Sequence, residues 1–287
     1  MFNRKEFKKA ALESLVGRWK TPILSEMIYV LVSLFLYLLI RYVFVMMDLA
    51  SANSVLAIKA LLLFLFFFIF YYGYLICISP VFKMGFKNVI VKTCSTNDFV
   101  SFKEFFRGFK TFGQSMGAYW WHYLWIFLWA LAFYLPFLFI MIISIALIVT
   151  EKISLAVIGI IILSVFLLCM IGFLIYKLIS YSMMWYILCE EKMWGPIEAM
   201  KISINITKKN CGKLFLLNFS FIGWMILSIL TAGIGFLWLI PYMEATNYHA
   251  YKFLRDEYYD LNNKNCVDSI ENKTEKVTNL IEPLRES

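Results

Sequence analysis

Histidine and charge are both scarce in this chain. Its 287 residues hold two histidines, and 16% of them are charged against 62% hydrophobic. Two histidines leave little from which to build a conventional zinc site, so no metal is expected. The cysteines Cys77, Cys94, Cys169, Cys189, Cys211 and Cys266 are scattered, without metal-ligand or redox spacing, and read as small apolar residues or reduced thiols. Catalytic patterns are missing too. There is no phosphate-cradling glycine loop, no HExxH, no nucleophile elbow and no carboxylates paired at useful spacing. Gly233-Ile234-Gly235 follows a helical pattern rather than a strand, so it is no dinucleotide fingerprint. Neither an enzyme nor a cofactor is expected. The first apolar run is about 25 residues long, is interrupted by Arg41 and precedes no small-residue cleavage site, which argues against a cleavable signal.

What the sequence has instead is apolar runs of about twenty residues or more, longer and more uniform than a soluble core requires. They predict an all-α membrane bundle of six spans, at about 23–47, 55–79, 118–150, 154–176, 214–230 and 235–254. These form a single membrane domain over 1–255, followed by a polar, disordered or loosely helical tail at 256–287. Pro80 is expected to close the second span, and Pro136 to kink the third.

The net charge of +8 is distributed by position. Lys and Arg crowd residues 1–20, 81–117 and 189–213, while 48–54 and 231–235 have none and 149–153 has only Lys152. This alternation predicts both termini on the cytoplasmic side and three hairpins. It also makes anionic lipid, rather than nucleic acid, the expected partner of the basic charge. A protein partner or a second copy of the chain is the other class of partner.

Each basic segment looks amphipathic. Phe7, Ala11, Leu15 and Trp19 form one stripe of a helix that carries Lys8 and Lys9 elsewhere. Residues 102–112 place Phe105, Phe106 and Phe109 beside Lys103, Arg107 and Lys110, with Ser101 and Glu104 as a capping box. Gly195-Pro196 opens a third helix over 197–209. All three suit helices lying in the head-group layer, where Trp19, Lys8, Lys9, Arg107 and Lys110 would contact the membrane interface. Trp120 and Trp121 open the third span as part of an aromatic belt. Gly17, Gly113 and Gly212 recur 96 and 99 residues apart, a pattern that either three weak repeats or a shared need for basic connectors explains.

The C-terminal block is distinctive. Gly212-Lys213-Leu214-Phe215, Ser220-Phe221-Ile222-Gly223-Trp224, Leu230-Thr231-Ala232-Gly233-Ile234-Gly235 and Pro241-Tyr242 closely resemble the end of a bacterial membrane family catalogued as domain of unknown function number 975. Leu15-Val16-Gly17-Arg18-Trp19, Phe106-Arg107-Gly108-Phe109-Lys110, Ser180-Tyr181-Ser182-Met183 and Ile197-Glu198-Ala199 resemble earlier parts of it. Two departures are Ser79-Pro80, where the family often has Gly-Pro, and the apolar stretch around Ile171-Gly172, where it has a Pro-Gly break. The resemblance implies a multi-pass protein of the bacterial cell membrane and supplies no chemistry.

Ionisable groups within apolar spans are costly and ask for a reason. Glu244 follows Pro241 about ten residues into the sixth span, with Thr246, Asn247 and His249 after it and Asn218 available from the fifth. Two readings stand. The cluster is a proton, cation or lipid head-group site, or it is a hydrogen-bond network that packs helices. Arg41 and Lys59 are expected to snorkel outward, with Asp48 as a local partner. Glu26 is expected to pair with the basic layer, and His122 to anchor at the interface. An accessory or immunity-type membrane component acting through lipid or protein binding is the expected function. The alternative is a small transporter or lipid-translocating protein that uses Glu244.

Overall fold

A computed structural model describes residues 2–49, 54–150, 153–190 and 195–285, excepting the side chains at 48, 49, 54–57, 153, 156 and beyond 261. The described residues form helices and turns, with no strand among them. In chain order the helices are α1 (Arg4–Leu15), α2 (Lys20–Leu49), α3 (Ser54–Gly73), α4 (Ser79–Ser95), α5 (Arg107–Lys110), α6 (Phe112–Val149), α7 (Ile153–Ser182), α8 (Met184–Glu190), α9 (Pro196–Thr207), α10 (Cys211–Phe219), α11 (Ile222–Leu230) and α12 (Phe236–Arg285). Five stretches are long and apolar enough to cross a membrane: Lys20–Met47, Ile58–Ser95, Phe112–Val149, Val157–Glu190 and Cys211–Leu230.

Two antiparallel pairs make the long part of the molecule. Along α2 and the helix that returns, Phe44 meets Phe64, Ser33 bonds Tyr74 and Tyr29 bonds Ser79. Along α6 and α7, Gly159 faces Ser144, Phe133 meets Phe166, and Trp129 donates to Tyr181. A Cβ at Gly159 would lie 2.5 Å from Ser144 Oγ, so glycine is what allows this approach. The apolar windows of these helices are almost wholly unburied by protein, with Ile69 at 71% and Leu168 at 69% exposure. Water would not tolerate so large an apolar surface, whereas lipid tails do.

The protein's own core lies at one end of these pairs, where α1, α4, α8, α9 and α12 meet. Met84, Tyr186, Ile187, Leu188, Ala199 and Tyr248 are buried together there. The long helices reach this core because they outrun a bilayer. The 38 residues of Phe112–Val149 extend about 57 Å at 1.5 Å per residue, against a hydrocarbon layer of about 30 Å.

Several elements differ from the sequence reading. Pro80 does not end the second helix. A π-helical turn, Tyr74–Ile78, absorbs the missing donor and the ring, and α4 carries the helix on to Ser95. Residues 102–112 do not form one amphipathic helix. They make a 3-10 turn at Phe102–Glu104, then the short α5, because Gly85 and Gly108 let this segment cross α4 backbone to backbone. The tail expected to be disordered or loosely helical continues α12 to Arg285. Thr21 lies inside α2, and its hydroxyl donates to the Val100 carbonyl at 2.8 Å. Gly17 takes a positive φ of 74° to end α1, whereas Gly113 and Gly212 are ordinary helical residues, so the three spaced glycines do different work.

The stripe on α1 faces protein rather than lipid. Phe7 packs on Phe253 of α12, while Ala11 and Leu15 join Phe86, Val89 and Ile90 of α4. Phe105 is likewise fully buried, stacked between Phe82 and Phe102. On α9, Ser203 donates to the Ser180 carbonyl at 2.8 Å. The turn after α11 begins with Thr231, passes through Ala232 and Gly233 at positive φ, and lies beside Val30 and Leu31. Ala232 and Gly233 line one cavity with Val30 and Leu31, and Val30 is a third of the way along α2, so the α10–α12 segment folds back well short of the tips of the two long pairs.

Candidate functional site

Glu244 is the centre of the polar cluster, but its partners come from α4 and α8. Lys87 forms an ion pair with its carboxylate, and Tyr186 donates to the same oxygen at 2.6 Å. The Lys87 ammonium also lies 4.8 Å from the centroid of the Tyr186 ring. These residues are level with Glu26, in the first two turns of α2, and not with the middle of the long helices.

Cavities flank this ion pair on both sides. One, of about 240 Å³, is bounded by Glu26, Lys83, Tyr119, His122, Trp185 and the Lys87–Glu244 pair. The other, of about 300 Å³, is bounded by Ser182, Asn218 and Asn247, with His122, Trp185 and the same pair forming the shared wall. Asn247 donates to Asn218 at 3.0 Å, leaving its own oxygen buried without a hydrogen-bond partner. His122 is 7% exposed, and its Nδ1 is likewise buried and unpartnered. Polar atoms in this state are uncommon in folded interiors, and both residues line these cavities.

Glu26 is 6% exposed and makes no hydrogen bond or ion pair with the described residues. Lys83 has no carboxylate within ion-pair reach among the described residues; its ammonium lies 5.3 Å from the Tyr119 ring centroid. Glu26 and Lys83 therefore face a common cavity without an ion pair between them.

A second half-buried carboxylate stands one helical turn beyond Tyr186 on α8. Glu190 pairs with Arg255 and accepts from Tyr248 and, at 3.2 Å, from Tyr251. The rings of Tyr186, Tyr248 and Tyr251 pack on one another between the two carboxylates, at centroid separations of 5.6 to 6.0 Å. Burial lowers the pKa of Arg255, but the Glu190 carboxylate outweighs this and holds it above its ordinary value. A third network lies on the connector, where Glu104 binds Lys92 at 2.7 Å and Arg107 at 3.1 Å. Burial raises the Glu104 pKa, and these two cations more than reverse that, so its carboxyl sits below its ordinary value.

Of the cluster read from sequence, Glu244, Asn247 and Asn218 come together. Thr246 is fully buried and back-bonded to the Tyr242 carbonyl, and His249 turns to Ser14 at 2.9 Å. Among the residues assigned to a membrane interface, Lys8 caps the Phe221 ring at 4.2 Å. Lys9 is solvent-facing beside Glu13, and Arg107 is held by Glu104. Lys110 and Trp120 are exposed, whereas Trp121 packs on the core beside Trp125. Trp19 lines a groove with Trp224 and Trp238. Arg41 and Lys59 are exposed on their helices; the side chain of Asp48 lies outside the described residues, as do the turn at 151–152 and Cys266. Lys83, Lys87, Tyr186 and Glu190 were missed. Their signal was spacing: Lys83 and Lys87, Tyr186 and Glu190, and Glu244 and Tyr248 are each four apart, on one face of a helix.

A family model described as "Protein of unknown function (DUF975)" matches residues 1–257. No curated protein and no solved structure matches the chain.

Proposed function

The chain belongs to this family, Protein of unknown function (DUF975), and from that premise we propose that it is a non-enzymatic, multi-pass component of the bacterial cell membrane. It binds a membrane lipid in the chamber around Glu26, Lys83 and Glu244, and serves the envelope in an accessory or immunity-type role. The carrying observation is Glu26, a buried carboxyl group with no hydrogen-bond or ion-pair partner among the described residues, which lines the same cavity as Lys83, likewise without an ion-pair partner among them. A structural network would leave neither group open.

Charge placement supports an arrangement with both termini in the cytoplasm. The basic connectors gather at the core end of the bundle, and positive charge is retained on that side of a membrane. About twenty residues of helix cross the hydrocarbon layer. Counted back from Leu49, that length ends near Val30, one turn from Glu26. The chamber then lies at the inner head-group level. Two full hairpins and a third, shorter one fit this depth, with the sixth helical segment, the start of α12, entering only part of the inner leaflet.

Native mass spectrometry of the full chain, extracted directly from membranes into polymer-bounded discs and then transferred to detergent, tests the reading. A discrete lipid adduct is expected on the wild type, and its loss on the Lys83→Ala/Tyr119→Leu variant. A wild-type spectrum with only a smooth distribution of weakly held lipid would overturn it.

Translocation is the second reading, favoured by one observation: the Lys87–Glu244 pair is the shared wall of two cavities. Such a pair can act as a gate that opens when the carboxylate is neutralised. Glu244→Gln in proteoliposomes decides it, since unchanged lipid or ion flux removes the gate.

A further inference from the structure

An apolar cavity borders the polar chamber. It holds about 420 Å³, shares Glu26 and Ile240 with the chamber's lining, and is otherwise lined by Met27, Val30 and Leu31 of α2, Ile234 of the turn and Leu237 of α12. Glu26 is the one charged residue on its wall. Leu31 and Ile234, at its margins, are 53% and 60% exposed, so the trough opens sideways onto the lipid-facing surface.

We propose that chamber and trough together form one site for an aminophospholipid of the inner leaflet. Its primary ammonium sits on Glu26, its phosphate on Lys83, and the first part of one acyl chain in the trough. This deepens the lipid-binding reading and rests on it. Charge complementarity selects the ligand. The cavity presents a free carboxylate and a free ammonium, whereas its other charges, Lys87 and Glu244, already neutralise each other. A zwitterion matches both open groups. An anionic head group would satisfy Lys83 but bring no positive group to Glu26. A choline head group has the right sign but no N–H to donate to the Glu26 oxygens. A bare cation would satisfy Glu26 and leave both Lys83 and the trough without a role. The Nδ1 of His122, which also lines the chamber, gives it a further hydrogen-bonding group.

The test loads the full chain, purified in detergent, with defined lipids and measures retention by native mass spectrometry. The probes are phosphatidylethanolamine, phosphatidylcholine, phosphatidylglycerol and the chain-free head group glycerophosphoethanolamine. Phosphatidylethanolamine is expected to be retained about tenfold better than either other lipid, the scale of one charge-assisted hydrogen bond. Glu26→Gln should erase that preference. Leu31→Trp, which fills the trough, should weaken phosphatidylethanolamine about tenfold and leave glycerophosphoethanolamine unchanged. Thermal unfolding of each variant shows that it is folded, and Glu26→Ala serves in place of Glu26→Gln if that variant fails to fold. Equal retention of phosphatidylglycerol, or a preference that survives Glu26→Gln, overturns the amine assignment while leaving lipid binding intact. Loss of glycerophosphoethanolamine together with the lipid in Leu31→Trp overturns the trough. Retention of no lipid class removes the lipid-binding reading itself.

Discussion

Tyr186 and Tyr248 each donate to a carboxylate on the other's helix. Tyr186 of α8 binds Glu244 of α12, and Tyr248 of α12 binds Glu190 of α8. Both helices advance four residues between the two bonds, so they run parallel, and each supplies one tyrosine and one carboxylate. Tyr186→Phe or Tyr248→Phe alone is expected to cost about 1.5–3 kcal/mol, as for a hydrogen bond to a charged group. Because the rings also pack on each other, the double variant should depart from additivity by about 0.5 kcal/mol or more. Thermal unfolding of the four proteins in one detergent measures this, and strictly additive losses would show two independent bonds.

Removing one member of the Lys87–Glu244 pair should harm the fold more than removing both. Lys87→Met strands a half-buried carboxylate, a change that typically costs about 3–5 kcal/mol. Lys87→Met combined with Glu244→Leu leaves no charge behind and should recover most of the loss. A double variant less stable than Lys87→Met would mean that the pair is not the main partner of either group.

The crossing of the connector over α4 depends on two glycines. A Cβ at Gly85 would collide with the Phe105 carbonyl oxygen, and one at Gly108 with the Val81 carbonyl oxygen. Both obstacles are backbone and cannot rotate away. Gly85→Ala and Gly108→Ala are each expected to cost about 1–3 kcal/mol or more through overpacking. Gly113→Ala, where nothing lies within 4 Å, should be neutral or slightly stabilising. Equal unfolding temperatures for all three variants would rule out a tight crossing.

Acid should loosen the same connector. The folded state holds Glu104 below its ordinary pKa of 4.5, so its ionised form binds Lys92 and Arg107 more favourably than the unfolded chain does. Its contribution is complete above the ordinary value and is lost as pH falls through the depressed one. Glu104→Gln should therefore flatten the decline of unfolding temperature with acid below about pH 4.5. A decline of unchanged slope in the variant would assign acid sensitivity to other carboxylates.

Cysteine labelling distinguishes a protein-packed α1 from one that lies on lipid. Lys9→Cys should react readily with a water-soluble maleimide, relative to the unmodified chain, because residue 9 is exposed. Ala11→Cys, at a fully buried position, should stay protected until the protein unfolds. Equal labelling of both positions would detach α1 from α4 and α12.

The lipid-facing helices were legible because their environment imposes composition directly. Leu38, Phe66 and Leu168 need only be apolar, and a run of such residues announces itself. The core end was harder to read. Amphipathic stripes such as Phe7, Ala11 and Leu15 look the same whether they meet lipid or α4, and only the folded chain distinguishes the two. Pro80 was read as a stop because a π-helical turn, which rescues the ladder, leaves no local signature. Glu244 stood out as a lone acid in an apolar run, yet Lys87 is 157 residues away and Tyr186 is 58. No spacing rule connects partners at that distance.

The parallel exchange between α8 and α12 also bears on how the chain is made. A ribosome that has released residues only as far as Leu230 has delivered Lys87 and Glu190, while Glu244, Tyr248 and Arg255 are still to come. Those early charges wait, unmatched, in helices already given to the membrane. Helix α12 completes both pairs. A chain cut short before it presents two uncancelled charges of opposite sign.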